Sequence, residues 1–541
     1  MWNATGRLSA PAQGDQGTTV IDSTRAFGKL VAAFNQNDWP RVQQRAAQLL
    51  IVAPNDARVH FMAGVAFLQM QQMPKALEHL LKATHIEPRR ADYVAHYANA
   101  LALARRLREA RLVADRAMTL SPDNPFTLGT LGAVYQMANA PMQSANAFRR
   151  AAALTPDDAP AHLNLAYALN TLGDIEGAGQ ALEASIRLQP RHWYAHLLLA
   201  QLKTQTAEHN HVARMRELLQ LHGHEPGAEW LLNMALGKEC DDLGDYPEAF
   251  EHYMRGKSAG RRARPYAFER DQAMFDALRH AFPNAEAEPT AAGDPTNEPI
   301  FVIGLPCSGI ALLDHLLGSH PDVRSGGELP NFPTLLQQAS GSPAALLGEA
   351  DIGARTRHVD WRRLGAAYLA SARPAGETRH FTDTLPHNFL YAGFIARALP
   401  NARIVCLRRD PLDVCIGNYR QLFAQESGLY DYSFDLDDIG RYIIEFERLM
   451  AHWHQLFPGR IHEVRYESLV ENTEATVREL LSFCKLPWDD ACLRAANGTA
   501  PAGQAARAPA TPDPIGHWRH YEPQLRDLRW RLIAAGIDVA D

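Results

Sequence analysis

The stretch FVIGLPCSGIALLDHLLGSHPDV, residues 301–323, places four apolar residues before a Gly- and Pro-containing turn and an amphipathic helix. That outline suits a phosphate-like anion, because amides at a helix start converge on one point and carry the positive end of the dipole. Ser308 and Gly309 lie in the turn. Where such a loop usually carries a cation and hydroxyls, this one has Cys307, Ile310 and Ala311. Cys307 at a helix start reads either as a thiol of lowered pKa or as a small residue filling a turn. Arg408 and Arg409 follow a second apolar run, 404–407. Cations at the carboxyl end of a strand stand where open α/β sheets bind ligands. Arg408 reads equally as a nucleotide contact or as the partner of an acid. His387 and His517 read as replacements for a missing cation or acid, or as packed histidines.

The elements that would hold these residues follow from the pattern. PIFVIG (299–304) is a continuous apolar run of the kind buried in a parallel sheet, and Leu312, Leu313, Leu316 and Leu317 share one face of the helix after it. The second unit, NARIVCLRRDPLDVCIGNYRQLF (401–423), has a strand and then a helix beginning near Pro411. IHEVRYESLV (461–470) reads as a third strand leading into the helical ATVRELLSFCKLPWDD. Strands alternating with helices predict an α/β domain with a mostly parallel sheet.

The first half is a repeat array. Pro54, Pro88, Pro122, Pro156 and Pro190 follow one another at intervals of 34 residues. Small residues keep fixed offsets before them: Gly64, Ala98, Gly132 and Ala166; Ala76, Ala110, Ser144 and Ala178; Ala83, Ala117, Ala151 and Ser185. Small side chains let paired helices approach, and proline ends the second helix of each pair. This period resembles the tetratricopeptide repeat, which implies a superhelix whose groove takes a protein or peptide, or else a rigid spacer. A divergent first repeat is expected over 23–56 and a last helix pair over 231–261. The expected boundaries are a disordered lead-in at 1–22, repeats at 23–264 (about six or seven helix pairs), a connecting segment and linker at 265–298, and an α/β domain at 299–541.

Composition narrows the class. A chain of 541 residues exceeds one core, and a net charge of −7 with 21% charged residues leaves no basic footprint for nucleic acid. No apolar run approaches the ~20 residues of a membrane helix, and no secretory signal is read at the N-terminus. The six cysteines show neither CxxC spacing nor metal-type pairing with histidine, so reduced thiols, no metal and a soluble cytoplasmic protein are expected.

From 299 to about 530 the chain resembles the sulfotransferase family, and specifically bacterial proteins with tetratricopeptide repeats ahead of a domain similar to tyrosylprotein sulfotransferases. The resemblance rests on the loop stretch above together with GGELPNF (326–332), DTLPHNFLYAGFIARALPNARIV, LRRDPLDVCIGNYRQLF, VRYESLVEN, LLSFCKLPWD and PIGHWRHYEPQL (514–525), in the family's order. The fold implied is a sulfotransferase-like P-loop α/β domain behind an all-α superhelix. The co-substrate implied is 3′-phosphoadenosine-5′-phosphosulfate, and the reaction is sulfuryl transfer to a tyrosine or similar hydroxyl.

By the same resemblance Glu328 is the general base, Ser308 and Gly309 hold the 5′-phosphosulfate, Arg409 takes the 3′-phosphate, and Tyr466 lies near the nucleotide. Arg507 is a weaker cofactor candidate. Other positions depart from the family: Cys307 replaces a cation, Thr384 a lysine, Gly417 and Pro514 serines. One missing transition-state donor costs about 10²–10³ in rate, so these losses predict weak or absent turnover. Two readings follow: an enzyme whose repeats recruit a protein substrate, and a non-catalytic scaffold whose repeats carry the function.

Overall fold

The computed structural model describes residues 18–283, 293–342, 346–348, 351–374, 378–423, 428–496 and 514–540. The expected lead-in lies outside them as far as residue 17, and the first helix, Thr18–Asn35, begins directly after. Contacts divide the chain into two compact units, one ending at Pro190 and one beginning at Arg191.

The first unit is five helix pairs, with each second helix closing just ahead of one of the five periodic prolines. The small residues do what their spacing predicts. A Cβ on Gly64 would come within 2.6 Å of Leu80, and one on Gly132 within 2.7 Å of Phe148. Ser144 and Ser185 donate their hydroxyls to the carbonyls of Gly132 and Ala159, at 2.9 and 3.0 Å. A second periodicity appears in the backbone. Asn37, Gln71, Arg105, Asn139 and Gly173 all take left-handed conformations, with φ of 56°, 58°, 60°, 51° and 84°. After each, the next amide reaches back five residues, as in Arg106 N–H to Leu101 O at 2.9 Å and Asp174 N–H to Leu169 O at 2.9 Å. This is the left-handed cap that closes a helix by satisfying its last carbonyls.

The second unit opens with two more helix pairs, Trp193–Gln201 with Val212–His222 and Pro226–Asp242 with Tyr246–Ala263, followed by the helix Phe268–Ala281. Much of the segment expected as connector, 265–298, is therefore helical; residues 284–292 of it lie outside the described residues. These helices share a core with the α/β part. Gly260 admits Phe434 so closely that a Cβ there would stand 2.5 Å from its ring. Arg261 pairs with Asp435 and Asp438 at 2.7 and 2.9 Å, and Arg279 pairs with Glu445 at 2.8 Å.

The sheet has five parallel strands, β1 (Pro299–Gly304), β2 (Val323–Ser325), β3 (His380–Asp383), β4 (Arg403–Arg408) and β5 (Ile461–Arg465), in the order β2-β3-β1-β4-β5. Every residue of β1 is buried, as a central strand covered on both faces requires. The strand expected over 461–470 is β5 and stops at Arg465, because Tyr466–Glu471 is already a helix. The carboxyl ends of β1 and β4 lie side by side, Gly304 opposite Leu407, so the loop after β1 and the arginines after β4 meet.

Arg105 is exposed and carries a Cβ where the cap favours glycine. Arg105→Gly is expected to stabilise the array by about 1 kcal/mol, the cost of a left-handed non-glycine residue. A rise in the chemical-denaturation midpoint of the repeat unit checks this.

Candidate active site

The loop after β1 is built on positive φ. Gly304 (154°), Cys307 (66°) and Gly309 (98°) all carry it. Two of these close approaches require glycine: a Cβ on Gly304 would meet the Leu407 carbonyl at 2.7 Å, and one on Gly309 would meet the Tyr466 ring at 2.4 Å. Gly309 caps the helix Ile310–Gly318, and no side chain takes the capping bonds. Its first amides, which have no carbonyl one turn back, therefore remain available to a ligand. Ser308 is buried, and its hydroxyl has no bond partner. That hydroxyl opens with Arg408 and Arg409 onto a cavity of about 20 Å³, the size of one water.

Arg409 is the hub of the cradle. It donates to the Cys307 carbonyl at 3.1 Å and the Pro514 carbonyl at 2.8 Å, stands 3.5 Å from Asp413, and lies 4.5 Å above the Tyr466 ring. Asp413 in turn accepts from the amides of Gly516 and Trp518 at 2.7 and 3.0 Å. One guanidinium thus gathers the loop, the helix after β4, Tyr466 and the C-terminal segment. Arg408 settles on its second reading: it pairs with Glu447 and, at 3.6 Å, with Glu463. Arg507 lies outside the described residues.

On the opposite side the structure collects Glu328, Cys307, His387 and Tyr430. Glu328 is exposed in the turn after β2. Burial pushes the Tyr430 hydroxyl up to about 12, and the negative charges of Glu328 and Cys307 add to the shift. The His387 ring meets Tyr430 edge-on at 4.7 Å, and Phe423 stacks on Tyr430 at 4.5 Å. His387 is buried, bonds the Leu429 backbone, and leaves Nε2 with no partner. Burial lowers its pKa from 6.5 to about 4, so it is neutral at pH 7 and supplies no replacement cation. His517 faces Asp241 at 3.2 Å, away from that role.

The departures from the family have structural consequences. Gly417 lies directly under Cys307: a Cβ at 417 would come within 2.8 Å of the Cys307 Cβ and 3.4 Å of its sulfur. Thr384 is buried, with its amide bonded to the Gly327 carbonyl at 2.9 Å. Beside it, Asp383 accepts from Tyr368 Oη at 2.7 Å and Asn388 Nδ2 at 3.1 Å, and burial still raises it to about 7.

Two neighbours of the candidate site carried no sequence signal. Tyr430 sits in a short 3-10 helix, Gly428–Phe434, with no motif around it. Lys257, on the helix Tyr246–Ala263, reads as a surface lysine but is 1% exposed. Its ammonium donates to Gln421 O at 2.8 Å, Asn418 O at 3.2 Å and Ser433 Oγ at 3.4 Å. Burial lowers its pKa to about 7, and the Cys307 charge opposes that shift. A lysine from the helical segment therefore stands within electrostatic reach of Cys307 in the loop.

Gly417→Ser, which restores the family's residue, is expected to destabilise the protein by about 1–3 kcal/mol through overpacking against Cys307; urea melts measure it. His387 carries a pH signature. The unfolded chain takes up a proton near 6.5 but the folded chain only near 4, so this group's contribution is complete above pH 6.5 and is lost as pH falls to 4. The loss amounts to about 3 kcal/mol. Unfolding midpoints measured across that window should slope less steeply in His387→Gln.

Residues 299–490 match the model of the family described as "Sulfotransferase family", and residues 159–192 match "Tetratricopeptide repeat". An uncharacterized protein of Aquifex aeolicus is 31% identical over 385 residues, covering 68% of this chain and 50% of its own length. The protein-tyrosine sulfotransferase of Drosophila melanogaster is 26% identical over 204 residues, 36% of this chain and 39% of that protein. Protein-tyrosine sulfotransferase 1 of Danio rerio is 26% identical over 202 residues, 36% and 55%. The chain thus spans about half the length of these curated relatives. Among solved structures, YrrB, a tetratricopeptide protein with an unusual peptide-binding site, aligns over 38% of this chain and 96% of its own with 16% identity and a TM-score of 0.28. On one chain, a region similar to the tetratricopeptide repeat thus precedes a region similar to the sulfotransferase family.

Proposed function

We propose that the α/β domain binds a 3′-phosphoadenosine-5′-phosphosulfate-type nucleotide and transfers its sulfuryl group weakly or not at all, while the repeats engage a protein or peptide. The observation that carries the binding half is the uncapped helix start at Gly309 beside the buried, partnerless Ser308 hydroxyl. These residues fit a phosphate, since uncapped amides at a positive helix end favour an anion. Ser308 and the amides of 309–311 would hold the 5′ end, and Arg409 the 3′-phosphate, with Tyr466 fixing the guanidinium from below. When bound, the nucleotide supplies a sulfuryl group whose departing phosphate gains negative charge. Glu328 would take the proton of a tyrosine or other hydroxyl, its exposed position in the turn after β2 giving it access to an acceptor.

The weak-turnover half rests on where positive charge is aimed. Cys307 carries none, Thr384 carries none, and Lys257 has its donors committed to Asn418, Gln421 and Ser433. Charge stabilisation depends on donors directed at the atoms that become anionic. A reducing compartment, the cytoplasm, suits the six free thiols. The family likeness of both parts supports a role for the repeats in presenting a protein acceptor. If the nucleotide pocket is silent, a scaffold in which the repeats alone act is the reading that remains.

Thermal shift with adenosine 3′,5′-bisphosphate is expected to raise the melting temperature of the wild type and to fail with Arg409→Ala. Unchanged affinity in that variant would remove the 3′-phosphate assignment. Radiolabelled sulfate transfer should be near background in the wild type and should rise in Cys307→Arg/Thr384→Lys/Pro514→Ser. Brisk transfer by the wild type would refute the loss, and no stabilisation by the nucleotide would leave the scaffold.

A further inference from the structure

We propose that the helix pair ahead of the α/β domain holds a zinc ion between Cys240, Glu248 and His252. Cys240 lies near the end of the helix Pro226–Asp242, and the other two lie on the first turns of Tyr246–Ala263. Their sulfur, carboxylate oxygen and imidazole nitrogen all lie within 4.8 Å of one another. The spacing, eight residues to the glutamate and twelve to the histidine, crosses a helix hairpin. It is therefore invisible to a search for adjacent cysteine pairs, and the expectation that no cysteine pairs with a histidine in metal fashion does not account for it.

The hydrogen bonds around His252 favour a cation. Its Nδ1 faces the Asn233 carbonyl oxygen at 2.9 Å, and Asn233 is itself oriented by donating Nδ2 to the Glu229 carbonyl at 2.6 Å. The asparagine oxygen can only accept, so Nδ1 carries the proton and Nε2 of the neutral ring presents a lone pair. That lone pair points to a carboxylate oxygen of Glu248 at 3.5 Å. Two electron pairs face each other beside a third donor, the buried Cys240 sulfur, with no proton of the neutral imidazole between them. An acceptor that fixes the outer nitrogen of an imidazole is the usual support of a metal-bound histidine.

The ligand types select the metal. Thiolate, imidazole and carboxylate together suit Zn²⁺, with bonds of about 2.0–2.3 Å. Tetrahedral bonds of that length put ligand atoms about 3.3–3.8 Å apart, so the site closes by roughly 1 Å of side-chain adjustment. Binding expels the Cys240 thiol proton to solvent, and the thiolate and carboxylate charges then balance the ion. Arg216 donates to Glu248 Oε1, the same oxygen that faces His252 Nε2, so the ion takes the place of this guanidinium on that oxygen or uses the other carboxylate oxygen. The Glu248 side chain is 34% exposed, which leaves the fourth position open to water. Cys240 precedes Asp241, which grips Arg420 of the helix after β4 at 2.5 Å. The ion would therefore stiffen the helix pair at the point where it holds the α/β domain.

The test uses the full chain without a histidine tag, stripped with chelator. Zinc titration is expected to show one tight equivalent and a raised melting temperature. Cobalt titration of the wild type should give tetrahedral d–d bands and a thiolate-to-metal charge-transfer band, with no variant needed. Cys240→Ser should abolish that charge-transfer band, and Asn233→Ala should weaken zinc affinity about 10–100-fold. Cys492→Ser, a buried thiol elsewhere, should change neither. No stoichiometric binding by the wild type, cobalt spectra lacking sulfur ligation, or equal affinity in Cys240→Ser would each overturn the proposal.

Discussion

One guanidinium holds the candidate site together. Arg409 is shared by two backbone carbonyls, one carboxylate and one ring face, drawn from four separate segments. Cys307 sits at a φ of 66° in the same loop, a conformation that a residue with a Cβ adopts only at a cost. Such strain persists where neighbours over-determine it. Here the neighbour is the arginine, which binds the Cys307 carbonyl from one side while Gly417 leaves room for the side chain on the other.

The second constraint is the attachment of helical segments to the sheet domain. The repeats were legible because a 34-residue period marks each turn with proline and each crossing with a small residue, features that act locally. Contacts nevertheless divide the chain at Pro190, well before the loss of the repeat pattern at 264. The reason is long-range. Lys257, Asp241 and Gly260 meet residues 161 or more positions away, and nothing in their own helices distinguishes them from surface or packing residues. A fully buried lysine is intelligible only once its acceptors, two helix-end carbonyls and a serine, have been placed around it.

The same distinction separates what could be read of the sheet. β1 and β4 were plain because they are central and continuously apolar. β2, three residues with an exposed arginine, and β3, four residues ending on Asp383, carry too little pattern to be recognised as strands. The candidate site divides along this line. Ser308, Gly309 and Arg409 follow the ends of the legible central strands, β1 and β4, and their position alone made them candidates. Tyr430 owes its place near Cys307, and His387 its place against Tyr430, to packing, and the protonation state of His387 follows from burial, which a sequence does not disclose.

Charge near a reacting group is not the same as charge directed at it. The loop region is not poor in cations: Arg408, Arg409 and Lys257 all stand close by. Arg408 is neutralised by two glutamates, and Lys257 is bonded to three oxygen acceptors. Each therefore contributes a screened field instead of a hydrogen bond to a departing oxygen. A field of that kind strengthens ground-state binding of an anion about as much as it would stabilise the transition state. Uniform stabilisation lowers the concentration needed for binding without raising the rate of chemistry. In this pocket the hydrogen-bond donors of Arg408 and Lys257 are spent on structure, on glutamates in one case and on carbonyls and a hydroxyl in the other.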